Sequence, residues 1–537
     1  MKRRGRAEHP KGQMQRASDP CEVAIVGAGP VGLLLALALT ELGVSVRVYE
    51  RGVSTKRDPR AAIVWPRVAE VLRAVGAIDR FEASACRLQR ASFNVNGRHA
   101  GTMALGGLAC EHPFPLMIEQ HETERLLVGL LAERGVPIAW GHAVTDLRVR
   151  ERGAELRVTT PDGGERTSTC GWVVGCEGAR SLVRHHMGIA FEGAPRLGLE
   201  CLQMNAIPRW RHPDDRETGY FFVVPGRTML ACPLPTGGYR FVCFTAGEGA
   251  PREGPPTLDE LRDAVARASC DPDVSLTPAE PQWFNRARFQ DRVAETLVRG
   301  RALLAGDAAH VWAPIGGHGM NAGMRGAHNL AWKLAAVVRG EAEASLLDTY
   351  SDEQRATARA VIEGITRMKT EEPSPAWLVG MLGWVFPHAL RAVERVPQVE
   401  ARLTELDAHH RGSALSSAYN AAGRLRAGDR VPDVMVRAEG REGRLHGLLA
   451  LRQWTLLAHG ARADGEDVAR LRRVAARYRA RVRVVAVEGV DAAATAALGG
   501  AGRAVLVRPD DHVAMVARAQ DGAMMGQYLD GWLTRAA

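Results

Sequence analysis

Beyond residue 270 this 537-residue chain contains no cysteine, and none of the nine before that point pair as Cys-x-x-Cys. That excludes a zinc ribbon and a thiol redox motif, so no metal site is expected, and the usage fits a reducing compartment. Cys170 and Cys176 stand close, but "GWVVG" between them reads as a buried strand, so free core thiols are expected. No concentrated block of one charge is present either. The net charge of +9 comes from arginines scattered along the chain. A nucleic-acid reader gathers its charge on one face, so nucleic acid is not an expected partner. The balance still favours anionic cofactors and substrates. One stretch alone approaches the length of a membrane span, "VAIVGAGPVGLLLALALTELG", and three glycines and a proline interrupt it. The expectation is a cytoplasmic protein with no membrane span.

Length points to several domains. Residues 1–20 are polar and expected to be disordered. "CEVAIVGAGPVGLLLALALTELGVSVRVYER" reads strand, glycine turn, apolar helix, turn, strand, and opens a nucleotide-binding α/β unit over 21–189. "PRVAEVLRAVGA" and "ETERLLVGLLAERG" repeat apolar residues at helical spacing. From 190 to 290 the character changes. "TGYFFVVPGRTMLACPLPTGGYRFVCF" is a run of strands split by Pro-Gly and Thr-Gly-Gly turns, an antiparallel sheet. "TLDELRDAVARA" follows as a helix opened by a Thr257/Glu260 capping box. Nucleotide-fold character returns at "GRALLAGDAAH", and 291–412 reads as the second part of the first unit with a helical region. A linker is expected over 413–433. Over 434–537 the order is strand, helix, strand, helix, strand, strand, helix.

Gly27, Gly29 and Gly32 form G-x-G-x-x-G directly after the strand "EVAIV" and before a helix. The first glycine makes the turn, the second lets backbone approach a pyrophosphate, and the third packs helix on strand. Glu50 ends the next strand, where a carboxylate can accept hydrogen bonds from a ribose diol, and Arg51 beside it joins the cofactor candidates. The alternative is a glycine-rich core turn with Glu50 on a solvated strand end. A second stretch, "GDAAHVWAPIGGHGMNAGMRGAHNLAWKL" over 306–334, crowds an acid, a proline and, after Gly306, five more glycines (Gly316, Gly317, Gly319, Gly323 and Gly326) into the approach to a helix. Glycine at that density calls for close backbone approach, positive φ, or both. The helix start adds free N–H groups and a positive dipole end. Two such segments far apart in sequence imply one extended ligand, FAD in preference to NAD. Asp307 would bond the flavin's sugar-alcohol chain, or else cap a helix. Pro314 and Gly317 would lie against the isoalloxazine ring. N–H groups near Gly319, Met320 and Asn321 would face its N1–C2=O edge.

With these stretches in place, the chain resembles the FAD-dependent aromatic hydroxylases, the single-component flavoprotein monooxygenases. It is most similar to the branch holding 3-(3-hydroxyphenyl)propionate hydroxylase, rifampicin monooxygenase and the aromatic polyketide hydroxylases. "VAIVGAGPVGLLLALAL", "VVGCEGARSLVR" and the 306–334 stretch carry the resemblance. "PRA" at Arg60, "EQHETERLL" at Gln120 and Glu124, "LLDTYSDEQRATA" at Tyr350 and Glu353, and "AGDRVPD" add to it. It implies a Rossmann-like FAD-binding domain, an inserted antiparallel-sheet substrate domain and a thioredoxin-like C-terminal domain, carried here by "AVLVRPDDHVAMVA". It adds Arg60, Gln120 and Glu177 to the FAD contacts and makes Arg180 and Arg184 candidates for NAD(P)H; a solvated helix start is the other reading of that pair. The chain departs from the family pattern at Glu177 and Gly326, where the pattern has Asp. It departs again at His318, usually Gln, and at Gln354, usually Arg.

The implied reaction consumes NAD(P)H and O2 and hydroxylates a phenolic or polyketide-type aromatic through a flavin C4a-hydroperoxide. The alternatives are a flavin-binding protein with little or no oxygenation, and an epoxidase or Baeyer–Villiger oxygenase. Substrate would lie between the glycine loop and the sheet. Alternation nominates Phe222, Val224, Met229 and Ala231 as lining, with core packing as the other reading. No catalytic base is assigned. His310, His318 and Tyr239 are candidates whose alternative is a structural role. The last domain would serve packing, or assembly of a homodimer.

Overall fold

The computed structural model describes residues 21–55, 60–247, 254–280, 282–367, 372, 375–379, 381, 397–419, 424–462 and 464–536. The expected disorder of 1–20 lies outside these residues, as does part of the 413–433 stretch.

The first sheet is built around the strand Cys21–Val26, which pairs in parallel with Val46–Glu50 on one side and Glu165–Gly175 on the other. Ile138–Trp140 and Ala302–Leu304 extend the parallel order outward. Val23, Ala24 and Ile25 are all fully buried, because helices cover both faces and no polar alternation is needed. An antiparallel ladder of Ala143–Arg150 and Gly153–Thr159 joins the same sheet through Glu165–Gly175, around the Pro-Asp-Gly-Gly turn. Helix Pro30–Glu41 is apolar on all sides and nine of its residues are buried. It packs against both Gln120–Glu133 and His318–Val338. Pro30 occupies the first turn, where its fixed φ suits the helix and no N–H is lost.

The second sheet runs in the order His310–Val311, Phe284–Ala294, Phe191–Arg209, Tyr239–Ala246, Arg227–Pro233, Thr218–Val224, Arg90–Val95, Arg98–Ala104. The central strands form the antiparallel meander expected from their turns. Arg90–Val95 joins it in parallel, so the sheet recruits strands from the stretch before the crossover. Helix Leu258–Ser269 opens on the Thr257/Glu260 capping box and lays Leu261, Ala264, Val265 and Ala268 against one face of the sheet. That face holds Phe222, Met229 and Ala231. The choice of these three as cavity lining is therefore corrected. The alternation is real, but the amphipathic helix covers that side, and the opposite parity faces the cavity. Val224 is not on the cavity wall either.

The C-terminal sheet runs Arg441–Arg444, Met435–Ala438, Val482–Gly489, Trp454–His459, Arg503–Val507, Val513–Arg518. From Trp454 onward the elements follow the expected order, with helices Glu466–Ala475, Ala492–Ala497 and Gly522–Asp530. This unit is pressed into the first. Trp454 meets Trp332 edge-on, ring centroids 5.4 Å apart, and the turn at 508–512 is buried. There Arg508 donates to both oxygens of Glu353, at 2.6 and 3.1 Å, and to Asp510. Lys333 Nζ lies 2.7 Å from Glu353, and Ser413 Oγ donates to the same carboxylate at 2.6 Å. Arg67 holds Glu70 at 2.7 Å and Asp511 at 3.2 Å, and Arg430 also pairs with Glu70. Buried charges demand such pairing. Residues 413–415 belong to this packed seam: Ser413 is bonded and Leu415 is fully buried.

Candidate functional site

A cavity of about 890 Å³ lies between the two larger sheets, and it collects segments from across the chain. Its walls include Gly27, Gly29, Glu50, Arg51, Arg60, Gln120, Glu177, Arg180, Asp307, Pro314, Gly317, Gly319 and Met320. Gly32, Asn321 and Arg184 stand behind the wall and support it.

The glycines divide by what surrounds them. Gly27 has φ +107°, and a Cβ there would sit 2.6 Å from Cys176 O. At Gly32 a Cβ would sit 2.1 Å from Gly27 O, so this glycine lets helix meet turn. Gly29 has open space on its Cβ side, and no side chain caps the helix that it starts. The N-terminal amides of that helix thus meet the cavity with no side-chain competitor. Glu50 braces the turn: its Oε2 accepts from Ala28 N at 2.9 Å and its Oε1 from Gly52 N at 2.8 Å.

In the second glycine stretch, positive φ falls on Gly306 (62°), Gly316 (81°) and Gly317 (73°). Gly319 is already helical, and a Cβ there would meet nothing within 4 Å. Asn321 fixes the loop to its neighbour. Its Oδ1 accepts from Trp65 N, and its Nδ2 donates to Ile63 O and Gly317 O, each at 2.9 Å. Trp65 stacks on His318, centroids 5.7 Å apart, and donates its indole N–H to Gly316 O at 3.2 Å. His318 Nδ1 in turn lies 2.7 Å from Glu405 Oε1, so His318 works as a clamp on the loop. Gly326 abuts Gln354, whose Oε1 would lie 2.9 Å from an added Cβ. Two departures from the family pattern thus meet at one contact.

Asp307 opens onto the cavity yet is ringed by protein, and that enclosure raises its carboxyl pKa while Arg60 opposes the rise. Glu177 Oε1 accepts from Ser181 Oγ at 2.9 Å and Val183 N at 2.8 Å, while its Oε2 is buried with no partner among the described residues. Burial raises its pKa. Arg180 is exposed at the rim. Arg184 is spent on structure: it donates to Ala308 O at 2.9 Å and Ala179 O at 2.7 Å and stacks over Phe191. His310 lines the cavity, stacks on Trp312 and is lowered by burial to about 4, so it is neutral near pH 7. Tyr239 is buried in the sheet core, where its hydroxyl accepts from Asp215 N at 3.0 Å.

The alternation left unassigned the side of the sheet that does face the cavity: Phe221, Leu230, Cys232, Val242 and Phe244, with Gln203, Arg240 and Asn285. The period was visible, and the parity was not. Trp65 and Glu405 carried no signal at all, because their partners lie far away in sequence.

A family model described as "FAD binding domain" matches residues 20–364, and one described as "Aromatic-ring hydroxylase, C-terminal" matches 424–536. The chain is 36% identical over 357 residues to 6-methylpretetramide 4-monooxygenase of Streptomyces rimosus, covering 64% of this chain and 60% of that one. It is 32% identical over 518 residues to 12-dehydrotetracycline 5-monooxygenase/anhydrotetracycline 6-monooxygenase of Streptomyces rimosus subsp. rimosus, covering 93% and 96%. Among solved structures it superposes on aklavinone-11 hydroxylase in complex with FAD and aklavinone. That match has a TM-score of 0.74 and 27% identity, and it covers 95% of this chain and 99% of that one. Among the described residues no helix is long and apolar enough to cross a membrane. With its glycine turn, its Asp307 loop and its apolar sheet face on one cavity, and with matched models over most of its length, this chain belongs to the FAD-binding aromatic-ring hydroxylases.

Proposed function

We propose that the chain is an FAD-dependent monooxygenase that uses NAD(P)H and O2 to hydroxylate an aromatic substrate of phenolic or polyketide type. One observation carries this reading. A single cavity joins three motifs that are distant in sequence to an apolar sheet face. The residues present fit the cofactor: Gly29 and Gly319 leave open space where a side chain would intrude, and Asp307 sets an acid between them.

Gly27, Gly29 and the start of Pro30–Glu41 would receive the pyrophosphate, and Glu50 with Arg51 the adenosine ribose. Arg60, Gln120 and Asp307 would hold the ribityl chain. Pro314, Gly317, Gly319 and Met320 would form the bed of the ring, with Gly32 and Asn321 fixing that backbone from behind. Glu177 orders the segment carrying Arg180, which is placed to meet a pyridine nucleotide at the rim, while Arg184 stabilises the same segment. FAD, when bound, supplies hydride acceptance and oxygen activation, which no side chain here provides. The protein's share is to hold an aromatic ring against Phe221, Leu230, Val242 and Phe244 and to keep water out. The C-terminal unit is read as thioredoxin-like from the family resemblance that "AVLVRPDDHVAMVA" carries, with a packing or dimerisation role, and the setting as cytoplasmic.

The test is direct. Purified protein should be yellow with one FAD per chain, and an accepted aromatic should stimulate NAD(P)H oxidation and O2 uptake and gain one oxygen. A colourless protein that takes up no FAD at micromolar levels sinks the reading. Full flavin occupancy without any oxygenated product across phenols and polyketide-like aromatics would leave a flavin-binding protein instead.

A further inference from the structure

The cavity face of the second sheet is graded. Phe221 pairs with Leu230, Leu230 with Val242, Val242 with Gln203, and Gln203 with Asn285. These five residues from five adjacent strands form one cross-strand row, and every one of them lines the cavity. The row is apolar through Phe221, Leu230 and Val242 and ends in two amides. Gln203 is only 8% exposed, so its amide sits against the cavity and not in bulk water. Asn285 Nδ2 donates to Gln203 Oε1 at 3.1 Å. Among the described residues the two amides bond only each other and the Cys201 thiol.

Such a pair has a fixed remainder. One hydrogen bond between two amides leaves three N–H hydrogens and one unused carbonyl oxygen, whichever way the two amides are turned, and one bond to the Cys201 sulfur still leaves donors to spare. A buried polar group without a partner is costly, so an occupant that lacks matching atoms is penalised. The next row carries a charge, Arg240, and that charge is already answered. Arg240 donates to Arg60 O at 2.9 Å and to Asn205, meets Glu119 Oε1 at 3.3 Å, and stacks on Trp283. Arg286, on the strand of Asn285, is held by Glu200 and by Glu260, the latter at 2.9 Å.

We propose that the Gln203–Asn285 pair is the polar end of the substrate site and selects an uncharged aromatic whose far edge carries a carbonyl or phenolic oxygen. The rings lie along Phe221, Leu230 and Val242, and the oxygen-bearing edge reaches the amides. This rests on the monooxygenase reading for the presence of the flavin, but it concerns a different wall of the cavity.

The experiment uses the full chain loaded with FAD and two probes with one ring system: 1,8-dihydroxyanthraquinone, which is neutral, and anthraquinone-2-carboxylate. Dissociation constants are read from perturbation of the flavin absorbance. The wild type should bind the neutral probe at least about tenfold more tightly than the carboxylate, an effect on the scale of one to two hydrogen bonds. Gln203→Leu and Asn285→Leu, assayed separately, should each weaken the neutral probe about tenfold while FAD occupancy and thermal midpoint hold. Either variant alone suffices if the other fails to fold. The proposal is overturned if a flavin-loaded leucine variant keeps the neutral probe within about twofold of wild type. It is equally overturned if the carboxylate binds better, or if the wild type binds neither probe. Failure to load FAD at all would strike the monooxygenase reading instead.

Discussion

At the scale of single residues, the glycines of the two glycine-rich stretches should part company under substitution. Gly27→Ala forces a Cβ to 2.6 Å from Cys176 O at φ +107°, so it should cost stability before it costs anything else. Gly319→Val extends into open space from a helical φ, so the thermal midpoint should hold while FAD affinity and product yield per NAD(P)H fall. The check is FAD titration beside thermal melting for both variants. A Gly319→Val protein with wild-type FAD affinity and coupling would remove this loop from the cofactor bed. Asp307→Ala acts otherwise. It takes a carboxylate from the cavity wall without opening the core, and it should weaken FAD retention by roughly 1.5–3 kcal/mol, the range for a hydrogen bond to a charged group. Dialysis against FAD-free buffer, followed by the flavin absorbance, measures this.

At the scale of elements, the sequence displayed what is local. The G-x-G-x-x-G turn, the capping box at Thr257 and Glu260, and the strand and helix order after Trp454 are each written in neighbouring residues, and all three stand in the structure. What depends on partners was hidden. Both faces of Thr218–Val224 are apolar, so alternation could not say which one the helix Leu258–Ser269 would take. Arg90–Val95 joins the sheet only through a parallel pairing with that distant strand. Adjacent residues now give a clean test. Phe222→Ala empties a site that is 2% exposed under the helix and should cost about 3–5 kcal/mol of stability, with the cavity wall unchanged. Phe221→Ala should cost far less stability and instead weaken aromatic ligands, because that ring lines the cavity and stacks on Phe93 at 5.1 Å. Urea unfolding and ligand titration on the two variants would show the pattern, and the reverse pattern would invert the sheet.

At the scale of the whole molecule, the C-terminal unit is an anchor for the helix that carries the glycine loop. Among the described residues none after Leu403 lines the cavity, yet Arg508 bonds Glu353, which in turn holds Lys333, and Asp510 accepts from Asn329. Lys333 and Asn329 lie on the same helix, His318–Val338, that begins at the glycine loop. Nothing in "RPDD" itself shows this burial, since charges rarely enter a core without partners from elsewhere. The partners are not equal. Arg508 has its pKa raised because Asp510 and Glu353 outweigh its burial, whereas Lys333 is lowered to about 8 because burial outweighs Glu353. Arg508→Met should therefore cost about 3–5 kcal/mol by stranding two buried carboxylates, and Lys333→Met clearly less, since Arg508 still holds Glu353. Acid should act on the same seam. Glu70, Glu353, Asp510 and Asp511 all have pKa values lowered in the folded chain by neighbouring Arg and His side chains, despite burial. A lowered carboxyl pKa contributes stability that is complete above the unfolded value, near 4, and is lost as pH falls through the folded one. The thermal midpoint should begin to fall below about pH 6.5, where the buried His310 and His328 must stay uncharged, and drop more steeply below about pH 4 as the seam carboxylates protonate, with Arg508→Met showing a shallower drop in that second range because much of that linkage is already gone. If Arg508→Met and the wild type lost stability in parallel below pH 4, the buried ion pairs would not be what holds the last unit against the helix His318–Val338.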